Sequence, residues 1–500
     1  MSEVPTGVKM DSVSRKIRPS ATMMITRDGS NGVEVLLGRR AESMPAFPGY
    51  WAFPGGGLSR VDKLAVEELE QLDGPNAAAF AAIMREIVEE LGFACVDGKI
   101  IVVDDAARSL VVADKANWLP QVKQGNIPCD TSGIRHISSR TTPPFGPVLF
   151  ENTFLHIHGG SSQEVPQPSI VGQTEFVEFT WQSADQLLLK WKAHEMKIAP
   201  PVVTLMMQLK RTLAQFGGDM ESSAEEMEKR QIGRRSILFA YGVEVVPVKT
   251  ATLPPADHTN SYLIGDPEGD FVLVDPAARM REGMEDLAVA VERHNGNLLA
   301  IVFTHPHSDH LGDFDLLREA FDVPIWGSQQ TSEQIPCQRI LHDGEMLQLG
   351  EQKWQVLQTP GHHPGHICLL GDAGLVAGDM VAGIGTILIP PSEGDMDQYL
   401  QQLQRLIDLK PHLIFPSHGP VIPLPEKKLK YYLQHRAARH QRVLDAVAAG
   451  NNKLAQISIV AYQDSPDAHP LLAQDQTLSH LLSHQRDGKV VEENHNWKIV

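Results

Sequence analysis

The sequence is poor in the features that mark secreted and membrane proteins. Its four cysteines are widely spaced among 500 residues and form no CxxC pair, which indicates reduced thiols rather than a disulfide framework. No apolar run approaches the length of a membrane span, and the polar N-terminus lacks the apolar core of a secretory signal. We therefore expect a cytoplasmic protein without a membrane partner, and a mitochondrial transit peptide is the less favoured alternative.

Positive charge is also scarce. The 44 lysines and arginines are outnumbered by 62 acidic residues, so the formal net charge is −18. This balance excludes a chain that is basic throughout and binds nucleic acid by its overall charge, although it is compatible with a local basic patch. Hydrophobic residues make up 42% and charged residues 21%, which is typical of globular proteins, and the length predicts about three domains.

Changes in pattern along the chain predict the domain boundaries. Strand-like and helix-like segments alternate in two regions, and a charged stretch that resembles a solvated helical linker separates them. Two helical segments after a longer helix, followed by a short hairpin, end the chain. We predict a loose N-terminus at 1–20, an α/β domain at 21–216, a linker at 217–240, a second α/β domain at 241–425 and a small C-terminal module at 426–500.

One short segment holds three imidazoles and a carboxylate, His305-Pro306-His307-Ser308-Asp309-His310. An apolar run at 298–303 precedes it, so the segment is expected just after a buried strand. Neutral imidazole nitrogens and carboxylate oxygens are the groups that bind zinc and similar ions. The segment therefore predicts a metal site.

Three later segments repeat the same layout, in which an apolar strand ends at a tight turn that carries one ligand group. The ligands are His362 after Thr359-Pro360-Gly361, Asp379 after Gly378, and His418 after Pro416-Ser417. A lone histidine at a strand end is usually an ordinary residue. Together with the histidine-rich segment, these three are expected to complete a metal centre at one sheet edge.

In these motifs the sequence resembles the metallo-beta-lactamase superfamily over about residues 243–425. The resemblance implies an αββα sandwich with two zinc ions at one edge, and two such ions activate a water for hydrolysis. This sequence differs from the common family pattern at one position, where it has Ser417 in place of glycine. By the resemblance, Asp379 bridges the ions, Asp309 is also a catalytic residue, and the remaining ligands are His305, His307 and His362 for the first ion and Asp309, His310 and His418 for the second.

The C-terminal part indicates which branch of the superfamily the chain resembles. The segments around the last ligand and the helices beyond it are similar to lactamase-like proteins with a C-terminal winged helix, among which are endoribonucleases and thioesterases. The glyoxalase II branch is a weaker match that shares Gly365-His366. His366 is accordingly either a substrate contact or a packed histidine.

The first region carries a second candidate site. Glu86, Glu89 and Glu90 lie at i, i+3 and i+4 of a helix predicted over 77–91, so their carboxylates share one face and repel each other unless a cation neutralises them. Magnesium prefers such oxygen ligands and often works with substrate phosphates. Upstream, a glycine-rich turn at 55–57 allows close approach of a phosphate.

Together these residues resemble the Nudix hydrolase family, whose motif reads GX5EX7REUXEEXGU. The second half matches from Arg85 to Phe93, whereas Lys63 occupies the place of the first glutamate, and Glu67 or Glu68 is the candidate to substitute for it. The resemblance, closest to coenzyme A diphosphatases, covers about 20–215. It implies an α/β/α sandwich that cleaves a diphosphate, in which Glu86, Glu89 and Glu90 bind Mg or Mn and Glu89 and Glu90 are also catalytic residues.

We therefore predict a bifunctional hydrolase of small-molecule phosphate or thioester substrates. Its lactamase-like domain would hydrolyse a thioester, an ester or a phosphodiester, and its Nudix domain a diphosphate of the coenzyme A or nucleotide type. The alternative is an endoribonuclease with a non-catalytic, nucleotide-sensing Nudix domain, because the helix at 427–442 has a basic side that could bind RNA. The competing interpretation is that this helix packs on the catalytic domain and that its basic side faces water. The oligomeric state is not defined by the sequence.

Four further histidines are interpreted as surface or packing residues without companions at ligand spacing, namely His156, His158, His480 and His484.

Overall fold

Strands and helices alternate along two separate units in the computed structural model. The structure describes residues 16–144, 146, 148–172, 175–229 and 236–500. The first unit contains the described residues up to 229 together with 238–241, and the second contains 236, 237 and 242–500. The change of unit therefore falls near the predicted boundary.

Strands dominate the start of the first unit and helices its end. Its strands are β1 (Ile17–Gly29), β2 (Gly32–Arg40), β3 (Trp51–Ala52), β4 (Gly55–Gly57), β5 (Phe93–Val96), β6 (Lys99–Val102), β7 (Arg135–Thr141), β8 (Leu149–Ser161) and β9 (Phe176–Ser183), and β10 (Ile237–Ala240) follows where the chain changes unit. Its helices are α1 (Arg60–Glu68), α2 (Ala77–Leu91), α3 (Asp105–Ala113), α4 (Trp118–Lys123), α5 (Ala184–Lys192), α6 (Pro200–Gln215) and α7 (Met220–Lys229), with a 3-10 turn at Lys115–Asn117.

A mixed sheet with helices on both faces forms the first unit. Its strand order is β3-β2-β1-β8-β7, with β4 beside β1 and β9 beside β2. Met23 and Ile25 of β1 pack with Ile87 of α2 in one core. Phe154 points to the opposite face, because its strand neighbour Leu155 belongs to that core. There Arg140 covers the Phe154 ring and bonds to α6, which agrees with the predicted α/β/α layers.

Two predicted boundaries of this region are wrong. Strand β1 begins at Ile17, so residues 17–20 belong to the sheet, and residues 1–15 lie outside the described part. The expected solvated linker contains α7, which packs against α6 and β7. Its buried residues follow the i, i+3, i+4, i+7 spacing of an amphipathic helix, which the many charges conceal. They are Met220, Ser223, Ala224 and Met227.

The second unit continues the numbering. Its strands are β11 (Val243–Lys249), β12 (His258–Gly265), β13 (Phe271–Val274), β14 (Leu298–Val302), β15 (Ile325–Gly327), β16 (Arg339–Ile340), β17 (Met346–Leu349), β18 (Gln352–Gln358), β19 (Ile367–Gly371), β20 (Gly374–Gly378), β21 (Ile414–Pro416), β22 (Val490–Glu493) and β23 (Asn496–Ile499). Its helices are α8 (Arg281–Glu292), α9 (Ser308–Leu311), α10 (Phe314–Ala320), α11 (Gln329–Ser332), α12 (Met396–Leu409), α13 (Pro425–Ala448), α14 (Leu454–Ala461) and α15 (Pro470–Arg486). Among the described residues, no helix combines the length and apolar character that crossing a membrane requires.

Two sheets stacked between helices form the body of the second unit. Strands β11 to β16 lie side by side in one sheet and β17 to β21 in the other. Leu263 and Ile301 pack toward α8 and α10, whereas Leu375 and Ile414 pack toward α12 and α13. Side chains on the inner faces meet between the sheets, where the rings of Tyr262 and Phe415 are 5.9 Å apart. This order of layers confirms the predicted αββα sandwich.

The C-terminal segment contains the helices and the hairpin expected from the sequence. Val443, Ile457, Leu481 and Trp497 join α13, α14, α15 and the β22–β23 hairpin in a small core of their own. Helices α13 and α15 also pack against α12, so the segment is continuous with the second unit. Its description as a winged helix stays a prediction.

Candidate metal centres

The predicted ligands of the second unit converge at one edge of the stacked sheets. His305 and His307 follow β14, His362 follows β18, Asp379 follows β20, and His418 follows β21. All five are buried. Since each residue lies just beyond the carboxyl end of its strand, the sheets carry the ligands to a common place.

Six of the predicted ligands form two groups there. Within each group the ligand atoms lie within 4.8 Å of one another. Such spacing suits side chains that share one ion. The groups are His305, His307 and His362, and Asp309, His310 and His418.

Asp379 lies between the two groups. One carboxylate oxygen, Oδ1, is 3.6 Å from Nε2 of His310 and 3.4 Å from Nε2 of His418. The other, Oδ2, is 3.7 Å from Nε2 of His362. A single carboxylate thus faces both groups, which is the arrangement that a bridging ligand requires.

Unsatisfied polar atoms test whether the site fits metal ions. Four buried atoms of the centre have no hydrogen-bond partner among the described residues, and each such atom costs about 1–3 kcal/mol when nothing compensates it. Divalent cations would satisfy all four, so these residues fit two ions. The atoms are Nε2 of His305 and of His310, Oδ2 of Asp309 and Oδ1 of Asp379.

The pKa shifts show two electrostatic environments in the centre. Burial, reinforced by the neighbouring His310 and His307, lowers the pKa of His305 well below its usual value, so this ring is neutral and offers a lone pair. Burial also opposes charge on His418, but Asp379 and Asp309 raise its pKa to about 9. The carboxylate side of the centre therefore attracts positive charge.

Asp275 is a supporting residue that the sequence analysis missed. Its carboxylate lies 2.9 Å from Nδ1 of His310 and accepts hydrogen bonds from the backbone N–H and the hydroxyl of Thr304 at 2.8 and 2.6 Å. It directly follows β13 and is buried. The layout of an apolar strand followed by an aspartate, which singled out Asp379, was a signal for this residue too.

Other histidine ligands are oriented in the same way. Nδ1 of His362 donates to the carbonyl of Leu388 at 2.7 Å, and Nδ1 of His418 donates to the carbonyl of His258 at 3.1 Å. Nε2 of His307 lies 2.8 Å from a carboxylate oxygen of Glu393. Such partners fix the tautomer and the ring plane of a metal ligand.

His366 is a packed histidine in this structure. It is fully buried, and its Nε2 accepts a hydrogen bond from the backbone N–H of Asp379 at 2.9 Å. Its Nδ1 lies 2.7 Å from the hydroxyl of Thr359. Gly378 adopts φ +48 against this ring, where a side chain would collide with it. The ring therefore holds the turn that presents Asp379.

The C-terminal helices hold the segment that orients His362. Arg436 of α13 donates to the carbonyl of Ile387. Gln476 and Ser479 of α15 donate to the carbonyl of Ile389 at 2.9 and 2.6 Å. The carbonyl of the residue between them, Leu388, is the one that accepts from His362.

We predict that Asp275→Asn weakens metal binding at His310. The amide removes a negative charge and can satisfy fewer of the three donors, and loss of such a partner typically costs about 10–100-fold in affinity. Zinc affinity is measured by competition with a chelator. Asp266→Asn is the control, because Asp266 is also buried but accepts from the turn amides of Glu268 and Glu351. Equal zinc affinity in wild type and Asp275→Asn would contradict this role.

We predict that Ser479→Ala lowers zinc affinity several-fold, less than the about 10–100-fold typical of losing a direct partner. The substitution removes one of the two bonds that hold Ile389, and the ring of His362 is positioned through its neighbour. The matched control is Thr477→Val on the same helix, where the lost hydroxyl bonds only to Ala473 within α15. If chelator competition gives the same zinc affinity for both variants and for wild type, the segment is held in place without Ser479.

In the first unit, two of the three predicted glutamates pair with a buried arginine. Nη1 of Arg85 lies 3.0 Å from Glu86 and 2.8 Å from Glu89. Glu90 accepts from the backbone N–H of Gly55 at 2.9 Å, and its other oxygen has no hydrogen-bond partner among the described residues. An internal guanidinium therefore neutralises part of the repulsion that the sequence analysis assigned to a metal ion.

Asp62, one position before Lys63, carries the carboxylate of α1 that pairs with Arg85. Its carboxylate is fully buried and accepts two hydrogen bonds from Arg85 at 2.8 and 3.0 Å. Lys63, the next residue, is exposed, and so are Glu67 and Glu68. The expectation that Glu67 or Glu68 substitutes is therefore wrong, because their side chains point to the surface of α1.

Burial and like charges shift the pKa values of these glutamates. Burial, aided by Glu89 and Glu175 and opposed by Arg85, raises the pKa of Glu86 to about 7. Burial and the neighbouring Glu86 and Glu175 raise the pKa of Glu90 well above its usual value. The shifts reveal Glu175 as an additional carboxylate that the sequence analysis missed.

The fit of a metal ion to this site is partial. Among the described residues of the first unit, no three ligand atoms lie within 4.8 Å of one another. The unpartnered oxygen of Glu90 and the raised pKa values both favour a nearby cation. The residues thus provide carboxylates for Mg or Mn, but they do not form a closed ligand set.

We predict that Asp62→Ala destabilises the first unit by about 3 kcal/mol, the lower end of the range for breaking a buried ion pair, because Arg85 keeps two other carboxylates. Lys63→Ala is the matched control and should change stability by less than about 0.5 kcal/mol. Urea unfolding of the full chain measures both. Similar unfolding midpoints for the two variants would contradict the assignment of Asp62.

Comparisons with known proteins agree with the geometry of the second unit. The metallo-beta-lactamase superfamily profile matches residues 254–336 and 338–418. A beta-lactamase-like protein 2 homolog from Drosophila melanogaster is 27% identical over 248 residues, 46% of this chain and 84% of that protein. A hydroxyacylglutathione hydrolase from Bdellovibrio bacteriovorus is 32% identical over 171 residues, 32% of this chain and 67% of that protein.

For the first unit, the comparisons are weaker. The crystal structure of a NUDIX hydrolase from Alicyclobacillus acidocaldarius is similar with a TM-score of 0.37 and 23% sequence identity, covering 44% of this chain and 100% of that chain. The Nudix assignment stays a prediction.

Proposed function

The chain belongs to the metallo-beta-lactamase superfamily, and on this basis we propose that its second unit hydrolyses a thioester at a two-metal centre. The observation that carries the proposal is the position of Asp379 between two groups of buried ligand atoms. The relative named hydroxyacylglutathione hydrolase supports a thioester, since an acyl-glutathione is one.

The ligand assignment follows the two groups. Asp379 would serve both ions, and each of the other ligands would hold one of them. When bound, two divalent ions would supply a water of lowered pKa and polarise the carbonyl of the substrate. The assigned ligands are His305, His307 and His362 for the first ion and Asp309, His310 and His418 for the second.

Asp309 is the candidate catalytic residue among these ligands. Its Oδ2 lies 3.5 Å from Nε2 of His418 and has no hydrogen-bond partner among the described residues. When one oxygen of this carboxylate binds an ion, the other can accept a hydrogen bond from a water molecule and so orient it toward the substrate carbonyl. Asp309 would then both bind an ion and position the nucleophile.

Contacts of the basic helix favour a small substrate over RNA. Arg436 and Arg439 are 2% and 3% exposed and are bonded inside the protein. Arg442 pairs with Asp464, and Lys430 pairs with Glu426. Most of the cations that motivate RNA binding are thus buried or paired within the fold, so the endoribonuclease is the less favoured candidate.

A second activity is proposed for the first unit, namely cleavage of a diphosphate in a nucleotide or a coenzyme A derivative. The observation that favours it is the approach of the glycine-rich turn to the glutamates. Gly55 donates to Glu90, and a side chain at Gly56 would collide with the carboxylate of Glu86. Mg or Mn bound through Glu86, Glu89 and Glu90 would neutralise a diphosphate there. The alternative is a unit that senses a nucleotide without cleaving it.

Crossed variants of the full chain test both activities. We predict that His307→Ala lowers release of free thiol from an acyl-CoA by at least about 10³-fold and leaves diphosphate cleavage unchanged, because metal activation of water accounts for several kcal/mol. Glu89→Gln should lower diphosphate cleavage and leave the release of free thiol unchanged. Thiol release is measured with a thiol reagent, and diphosphate cleavage by chromatography of the nucleotide products.

Each failure has a distinct meaning in this design. Absence of thiol release from acyl-CoA and acyl-glutathione by zinc-loaded wild type would end the thioesterase proposal. Cleavage of labelled single-stranded RNA that His307→Ala abolishes would then establish the nuclease. Nucleotide binding without product formation, unchanged in Glu89→Gln, would establish the sensing alternative for the first unit.

A further inference from the structure

A second group of histidines lies between two helices of the C-terminal segment. His480 and His484 are one turn apart on α15, Asp487 follows at the end of that helix, and His440 faces them from α13. Ligand atoms of His440, His484 and Asp487 lie within 4.8 Å of one another. The sequence analysis predicted no companions for His480 and His484, and this prediction is wrong because the partner is forty positions away along the chain.

The hydrogen bonds of this group leave ligand atoms unused. Nε2 of His484 lies 2.8 Å from the carbonyl of His440 and donates to it, so its Nδ1 carries the lone pair. That Nδ1 is buried and has no hydrogen-bond partner among the described residues. Nδ1 of His440 lies 3.1 Å from Nδ1 of His480, which leaves Nε2 of His440 for another contact.

From this geometry we infer a third zinc-type site, in which His440, His484 and Asp487 bind one ion. Imidazole nitrogen with carboxylate oxygen suits zinc and similar transition metals rather than Mg²⁺ or Ca²⁺. Three protein ligands leave a coordination position for water or an external ligand. The site goes beyond the proposed hydrolysis and does not depend on it.

The surroundings of the ligands match those of metal-binding histidines. A ligating histidine usually donates its second ring N–H to a carboxylate, a backbone carbonyl or water. The carbonyl of His440 serves His484 in this way, while Nδ1 of His440 lies beside Nδ1 of His480. The rings of His440 and His484 are also stacked, with centroids 3.5 Å apart, so the two imidazoles lie directly beside each other.

Charge in the group favours the neutral, metal-binding form of the rings. Burial and the neighbouring His484 lower the pKa of His440 to about 4, and burial lowers the pKa of His480. Asp487 is exposed, and Lys489 holds one of its oxygens at 2.8 Å, so the other oxygen is the one assigned to the ion. The site therefore opens to solvent on the Asp487 side.

An ion there would tie α13 to α15. These two helices hold Ile387 and Ile389 through Arg436, Gln476 and Ser479. The proposed ion thus stabilises the same helix pair that supports the candidate hydrolytic centre, without touching that centre.

Zinc content of the full chain tests the site. The protein is loaded with zinc, desalted and analysed by mass spectrometry of the metal. We expect His484→Gln to bind one equivalent fewer than wild type. His435→Gln is the matched control, because His435 lies on α13 but stacks on Tyr431 outside the group, and it should bind as much zinc as wild type.

Anomalous diffraction at the zinc edge gives a readout that needs no variant. Crystals of zinc-loaded wild type should show a peak among His440, His484 and Asp487 in addition to those at the lactamase-like centre. Peaks at that centre with none between α13 and α15 would overturn the inference, and so would equal zinc content in wild type and His484→Gln. If His484→Gln does not fold, the anomalous map alone decides.

Discussion

A buried carboxylate that faces imidazoles on both sides sets the conditions for the whole second unit. Asp379 can remain charged in the interior only because His310 and His418 lie beside it, and burial alone would oppose that charge. Asp275 orients the ring of His310, and the backbone carbonyl of His258 orients the ring of His418. The two sheets hold the strand ends that carry these groups. The αββα sandwich thus holds these ligands in position, although their buried charges and unpaired polar atoms would destabilise the fold if nothing compensated them.

The C-terminal segment belongs to this centre in a physical sense. Its own small core is separate, yet Arg436, Gln476 and Ser479 reach back to the carbonyls that flank Leu388. Buried arginines that looked like a nucleic-acid surface in the sequence serve instead as internal donors. The number of basic residues in a helix therefore predicts a nucleic-acid ligand poorly unless the partners of each basic side chain in the fold are known.

The sequence was informative where chemistry and local pattern coincide. Apolar runs ending in turns located β14, β20 and β21, and with them the ligands that follow. Contacts between distant segments were out of reach, since nothing near Asp62 indicates that it pairs with Arg85, and nothing near His440 indicates His484. The charged helix α7 was misjudged because its narrow apolar stripe is short and interrupted by glutamates.

The pairing of β1 has a consequence for how the first unit is made. This strand runs parallel to β8, with Ile17 opposite Leu149, so its long edge has no neighbour there until more than a hundred further residues have been synthesised. Closing so large a loop is entropically costly and slow. Until β8 is made, that edge of β1 lacks its partner strand, and an unpaired strand edge of this kind favours aggregation during folding.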